Sequence, residues 1–279
     1  MRTRSVSSII VAAGLFLGII TVFGQAARAP AQTTAQAPAY RAPRTKDGKP
    51  NLSGVWQGVN EAYWDIEAHS AAPGPFWQLG AAYSVAPGVG IVEGGKIPYK
   101  PEALEKRKQN FANRMSLDPE TKCYLPGVPR AMYMPYPFQI IQSTKQIAMV
   151  FEFAGALRTV YLADQTEAPA DSWMGWSNGR WEGETLVIDT TGFNDLSWFD
   201  RAGNFHSDAL HVVERLTAID QDHLNYEATI EDPNVFTRPW KISMPLYRRI
   251  EKNAQILEYK CVEFAEDLIY GHLRKVPLK

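Results

Sequence analysis

From residue 138 onward the chain consists of short runs of β-branched and aromatic residues, alternating with polar ones and broken by turn-forming clusters. Alternation with period two marks strands that bury one face. The runs predict strands over 138–142, 146–153, 157–162, 179–182, 185–190, 210–219, 224–230, 240–249 and 256–262. Ser143-Thr144-Lys145, Glu182-Gly183-Glu184 and Asp220-Gln221-Asp222 supply turns between them. A further run over 52–59 follows a turn marked by Gly48, Pro50 and Asn51. About ten strands with short connections make an antiparallel meander, which must roll up to bury its faces and hide its edges. The expected fold is mainly β: a meander rolled into a barrel-like, calycin-like single domain.

Two segments carry a different pattern. Pro101 at a first-turn position, Glu102 beside it, and Leu104, Lys108 and Phe111 at helical spacing predict one helix, ending before Asp118-Pro119. A shorter one is expected near 264–271, both helices packing outside the barrel. Between 62 and 95 lies an Ala-, Pro- and Gly-rich segment with Trp64, Phe76 and Trp77, too long for an ordinary connection and expected to cover something.

The N-terminus changes the expected location. Arg2 and Arg4 precede an apolar run over 9–23 and a small-residue stretch over 24–29, the order of a secretory signal. The run is short of the roughly 20 residues a spanning helix needs. The chain therefore divides into a signal peptide over 1–29, a flexible Ala/Pro/Gln linker over 30–45 and one β-rich domain over 46–279, periplasmic or secreted. No later segment reaches membrane-spanning length, so no stable membrane insertion is expected after signal removal. Cys123 and Cys261 are the only cysteines, and in an oxidising compartment an even count favours a bridge. Net charge near zero, without a basic cluster, argues against a nucleic-acid partner.

Two resemblances add to this reading. Gly54-Val55-Trp56 resembles the G-x-W signature of lipocalin-type barrels, in which the tryptophan plugs the closed end; it implies a barrel open at one end. The chain is longer than a typical lipocalin, and the 62–95 segment departs from that family. Cys123-Tyr124-Leu125-Pro126-Gly127-Val128-Pro129-Arg130, Trp173-Met174-Gly175, Gly179-Arg180-Trp181-Glu182-Gly183-Glu184-Thr185-Leu186, Thr191-Gly192-Phe193-Asn194-Asp195 and His206-Ser207-Asp208-Ala209-Leu210-His211 resemble a family of exported proteins from environmental Gram-negative bacteria. That likeness spans most of the mature chain and implies export and a single domain. It brings no catalytic residues to transfer.

Candidate chemistry concentrates between 173 and 215. Trp173, Trp176, Trp181 and Trp198 are interleaved there with carboxylates, histidines and Arg215. Apolar walls with a few placed polar groups are what a small-molecule pocket needs, with Trp173, Trp176, Trp198, Arg215 and Arg130 as candidate ligand-binding residues. His206-x-Asp208-x-x-His211 offers an imidazole that a neighbouring carboxylate could orient for acid–base work. On the next strand Glu214 falls among apolar neighbours, while His211 and Arg215 share the opposite face. Either His211 and Arg215 point into the barrel, or the lumen is the apolar face and Glu214 is a carboxylate in it, with a raised pKa. His206, Asp208, His211 and Glu214 are thus the candidate catalytic residues. No ligand spacing of a known metal motif and no phosphate loop appear, so no cofactor is expected.

Two readings follow. One is an exported, cofactor-independent acid–base enzyme (lyase, hydratase, isomerase or hydrolase) acting on a small apolar or aromatic molecule. The other is a non-catalytic, lipocalin-like carrier of a lipophilic ligand, which needs the aromatics and no dyad.

Overall fold

A computed structural model describes residues 40–273; the signal over 1–29 and the linker as far as 39 lie outside the described residues. The alternating runs form nine strands: β1 (Gly54–Gly58), β2 (Phe138–Gln142), β3 (Gln146–Phe151), β4 (Leu157–Tyr161), β5 (Trp176–Glu182), β6 (Thr185–Thr191), β7 (His211–Ala218), β8 (His223–Glu231) and β9 (Trp240–Arg248). Each pairs with the next in sequence, and β1 pairs with β9 to close the barrel. The mainly β barrel with few helices expected from the sequence is what forms.

The pairing departs from a pure antiparallel meander at one place. β4 and β5 run parallel, through Val160↔Ser177 and Tyr161↔Asn178. Ring parity requires this: direction must alternate around a closed ring of antiparallel neighbours, so an odd number of strands closes only with a parallel pair. A crossover over 162–175 supplies the reversal, because two parallel strands cannot be joined by a tight hairpin.

The run over 256–262 does not become a tenth strand. β1 already occupies the edge of β9 through Trp56↔Arg248, Gln57↔Tyr247 and Gly58↔Leu246. The chain after β9 instead forms an irregular arm leading into a helix, Ala265–Tyr270. The part of β9 that short β1 cannot reach is covered by the long loop. Glu93 N–H donates to Lys241 O and Ser243 N–H to Ile91 O, both at 2.9 Å, which pairs an otherwise open edge.

The first helix, α1 (Pro101–Ala112), starts at the expected proline, is followed by α2 (Arg114–Leu117), and the helix on the arm is α3. Leu104 and Phe111 are not the packing face of α1; both are exposed, and Ala103 and Asn110 are buried instead. Gly203, at φ +82°, permits the approach, since a Cβ there would lie 2.7 Å from Phe111 N and 2.8 Å from Arg107 O. Residues 40–45, read as flexible linker, hold to the barrel: Ala42 is buried and Arg44 pairs with Glu184. Cys123 and Cys261 are bridged, with Cα atoms 5.6 Å apart, which ties the arm to the segment after α2. Among the described residues no helix is long and apolar enough to cross a membrane.

Candidate functional site

The barrel interior is filled by its own side chains. Ile147, Met149, Leu186, Ile188, Val212, Leu216, Tyr226, Ile242 and Leu246 are fully buried, as expected where a small barrel is just wide enough for side chains to fill. Trp56 joins them, its Nε1 donating to Leu52 O at 2.9 Å and the Arg248 guanidinium lying 4.1 Å from its ring centre. The glycine of the G-x-W triplet has a steric reason, since a Cβ on Gly54 would fall 2.1 Å from that guanidinium.

Alternation along β7 settles which face is inward. Val212, Glu214 and Leu216 are buried, and it is Glu214, not His211 or Arg215, that enters the lumen. Its carboxylate is held by Arg158 of β4, with Nη1 3.0 Å from Oε1 and Nη2 closing on Oε2. Tyr226 donates to Oε1 at 2.9 Å. Arg158 also donates to Ser177 Oγ at 2.9 Å and Thr190 Oγ1 at 2.8 Å. Glu214 therefore sits in a closed polar knot rather than in an apolar pocket, with its lone pairs directed at protein donors.

The three members of the His206 to His211 constellation separate. His211 lies on the outer face of β7 between carboxylates of both neighbouring strands, 3.0 Å from Asp189 and 3.6 Å from Glu231. Asp208 is exposed. His206 is buried beneath both, among Phe193 and Phe199, with ring centres 6.0 and 5.3 Å away. Its partner is Ser197: Nε2 is 2.7 Å from Ser197 Oγ, and Nδ1 is 2.8 Å from Ser207 O. A carbonyl can only accept, so Nδ1 carries the proton and Nε2 accepts from the serine hydroxyl. Burial lowers the His206 pKa, which keeps the ring neutral and fixes that tautomer.

The remaining candidates are equally dispersed. Trp173, on the crossover, packs on Tyr124 with ring centres 4.9 Å apart. Trp176 stacks on Tyr161 at 4.5 Å on the outer side of the sheet. Trp198 is in the core of the β6–β7 connection. Arg215 faces outward and pairs with Glu182 at 2.8 Å. Arg130, expected to offer its fork to a ligand, is buried and already engaged by Asp118 at 2.9 Å and Glu120 at 2.6 Å.

No family model matches the chain, and no curated protein is significantly similar to it.

The concave surface lies outside the barrel, where sequence periodicity gives no guidance. Two adjoining hollows of about 270 and 300 Å³ share Glu120, Tyr136, Arg201 and Glu266. One is completed by Tyr63, Trp64 and Tyr83 of the long loop, the other by Tyr259, Phe264 and their neighbours on the arm. Arg201 stands between them. Its Nε donates to Glu120 Oε2 at 3.0 Å and its Nη2 to Glu120 Oε1 at 3.2 Å and Glu266 Oε1 at 2.5 Å, and its guanidinium lies 4.6 Å from the Trp64 ring centre. Asp118, Arg130, Glu120, Arg201 and Glu266 thus form one chain of alternating charge. Burial disfavours the charged form of Glu120, but Arg201 and Arg130 outweigh it and lower its pKa.

Phenols ring this chain. Burial raises the Tyr83 pKa, and Glu266 beside it adds to the shift. Burial likewise raises that of Tyr259, helped by a hydrogen bond with Tyr136. Both are neutral hydroxyls able to donate and accept. Glu266 lines both hollows: its Oε1 takes the Arg201 guanidinium, its Oε2 is shut off from solvent, and the Tyr83 hydroxyl stands beside the carboxylate as a hydrogen-bond donor. Among the described residues no group of three or more His, Cys, Asp or Glu is placed to hold a metal ion.

Sequence reasoning missed this cleft. One signal was available: tyrosine or tryptophan recurs at 63, 64, 83 and 136 in segments without strand or helix periodicity, where a large aromatic has no core face to explain it; Tyr259 was masked by the strand-like run around it.

Proposed function

We propose that the protein is an exported small-molecule binding protein whose site is the paired hollow around Arg201, outside the barrel. The observation that carries this is the convergence of phenols, an indole and a carboxylate on one concave surface. Binding sites combine apolar walls with a few fixed polar groups in this way, and the alternating charges hold the walls in place before a ligand arrives. Action outside the cytoplasm is supported by the bridged cysteines and by the signal-like N-terminus. The barrel acts as scaffold, its interior being occupied by side chains.

A saturation-transfer NMR screen of chemically diverse small molecules tests the reading. Compounds that bind wild type should lose their signal with Tyr136→Ala and keep it with Trp176→Ala, whose ring is on the outer face of the sheet. A screen in which Tyr136→Ala changes nothing removes the cleft from consideration.

Acid–base catalysis is the second reading, and the Ser197–His206 pair favours it: a neutral imidazole with a fixed tautomer accepts a serine proton at 2.7 Å. Both residues are almost wholly buried, at 2% and 1% exposure, which favours a structural role. Treatment with a sulfonyl fluoride followed by mass spectrometry separates the two. No adduct is expected at Ser197, and a stoichiometric one would put catalysis first.

A further inference from the structure

We propose that the Arg201 cleft selects an uncharged, polyhydroxylated ring, a sugar or cyclitol, and rejects anions; the proposal rests on the binding reading above. Four features of the cleft lead there. First, the one cation at its centre is not available to a ligand. Arg201 has its fork on Glu120 and Glu266 and its face on Trp64, so a carboxylate or phosphate would have to displace a carboxylate already in place. Second, the lining carries three carboxylates, Glu120, Glu266 and Asp267, against two cations, Arg201 and Lys260, so the field in the hollows does not favour negative charge.

Third, the Glu266 carboxylate is answered within the protein: Arg201 donates to Oε1, the Tyr83 hydroxyl stands beside the group as a hydrogen-bond donor, and Oε2 is closed off from solvent. It therefore leaves no free charge to recruit an ammonium, which would in any case lie against Arg201, whose guanidinium already occupies the Trp64 face. Fourth, the remaining polar groups on the walls are phenols. Tyr63, Tyr83, Tyr136 and Tyr259 can each donate or accept, matching the mixed donors and acceptors of vicinal hydroxyls. Their ring faces offer apolar surface to the C–H groups of a ring.

The test uses the mature chain and three probe sets in saturation-transfer NMR. The neutral set is the methyl glycosides of glucose, galactose, mannose and xylose with myo-inositol; the anionic set is benzoate and glucuronate; the cationic set is choline and glucosamine. At least one neutral probe should bind, with affinity reduced severalfold in Tyr63→Phe, which keeps the ring and removes only a hydroxyl. Tyr83→Phe should reduce it likewise and serves as the readout if Tyr63→Phe does not fold. Binding of the anionic or cationic set alone, lost in Tyr136→Ala, would overturn the ligand class and leave the cleft as the site. Absence of any signal sensitive to Tyr136→Ala, from all three sets, would overturn the binding reading itself.

Discussion

Two regions of this protein use the same pair of residue types to opposite ends. Inside the barrel, Arg158 and Glu214 meet where neither is exposed, and Tyr226, Ser177 and Thr190 take up the remaining hydrogen bonds. Outside it, Arg201 meets Glu120 and Glu266 at the wall of an open cleft, with Trp64, Tyr83 and Tyr136 lining the same hollow. A closed knot has nothing to offer a ligand; it links β4 through β8 to one another by side-chain hydrogen bonds across the lumen. An open chain of charges holds loops together and still presents a polar edge. Arginine and glutamate do not by themselves distinguish scaffold from site; whether their surroundings leave a hollow beside them does.

The comparison breaks most visibly at the disulfide. Replacing both cysteines by serine releases a loop with a sequence separation of 138, for which chain-entropy reasoning gives about 5 kcal/mol. The arm beyond β9 has no strand pairing, so it should detach first. Urea denaturation should show the large loss, and ligand binding at the cleft should vanish at urea concentrations where the β signal in circular dichroism persists. Loss of both signals together would mean that the arm and the barrel form one cooperative unit.

Glu214→Ala comes next. Removing one partner of a buried pair strands the other charge, at a cost of roughly 3–5 kcal/mol. Arg158→Met with Glu214→Leu should restore most of that stability, since a well-packed apolar pair can replace a buried salt bridge. Cleft binding in the double variant should match wild type. A double variant that folds and does not bind would show that the lumen takes part in the site.

The barrel and the cleft were not equally legible in the sequence. Strands 138–142, 185–190 and 224–230 were readable to within a residue or so, because a half-buried strand writes its period into the sequence. The sequence also contained the key to Glu214: Arg158 and Val160 share a face of β4, so an inward charge on one strand had an inward partner on another. What could not be read was which of two strand-like runs would close the ring. Segment 256–262 has the composition of a strand, but 54–58 took the place on β9, and pairing between distant segments leaves no local trace. The cleft was hidden for the same reason. Tyr63, Tyr83, Tyr136, Arg201 and Glu266 come from four irregular segments and one short helix, and only the tertiary fold gathers them. His206 and Asp208 illustrate the reverse error, since nearness in sequence suggested a pair, while a turn sends one ring into the core and leaves the carboxylate outside.

A smaller effect sharpens the comparison through pH. Asp200, next to Arg201 in sequence, is fully buried; burial and the neighbouring Asp65 push its pKa up to about 7. It accepts from the backbone N–H groups of Ile66 at 2.9 Å, Ala202 at 2.9 Å and Asn204 at 3.2 Å and from the Asn204 side-chain amide at 2.6 Å, so it ties the long loop to the β6–β7 connection. With its pKa raised above the unfolded value of 3.8, the native state holds this proton more tightly than the unfolded chain does between those limits. The contribution is therefore complete below pH 4 and is lost as pH rises toward and through 7, with a slope of at most about 1.4 kcal/mol per pH unit. His206 works in the other direction, because its lowered pKa favours the fold as pH rises. The measurement that isolates Asp200 is the difference between wild type and Asp200→Asn in urea midpoints at pH 5 and pH 7. The variant, which cannot ionise, should gain on wild type between those values. A difference that does not change with pH would mean that Asp200 is ionised throughout and that its four N–H partners outweigh burial.

Least affected should be the outer face of the sheet. Arg215 is the sequence neighbour of Glu214 and differs from it only in pointing outward, to an exposed Glu182. Exposed pairs of this kind are screened by water and held at an entropic cost to two long side chains. Arg215→Ala should leave the urea midpoint and cleft binding unchanged within error, where Glu214→Ala one residue earlier unfolds much of the population at moderate urea. If Arg215→Ala abolished binding instead, the outer face carrying Asp189, His211 and Trp176 would have to replace the cleft as the functional surface, and closed against open would no longer be the distinction that matters.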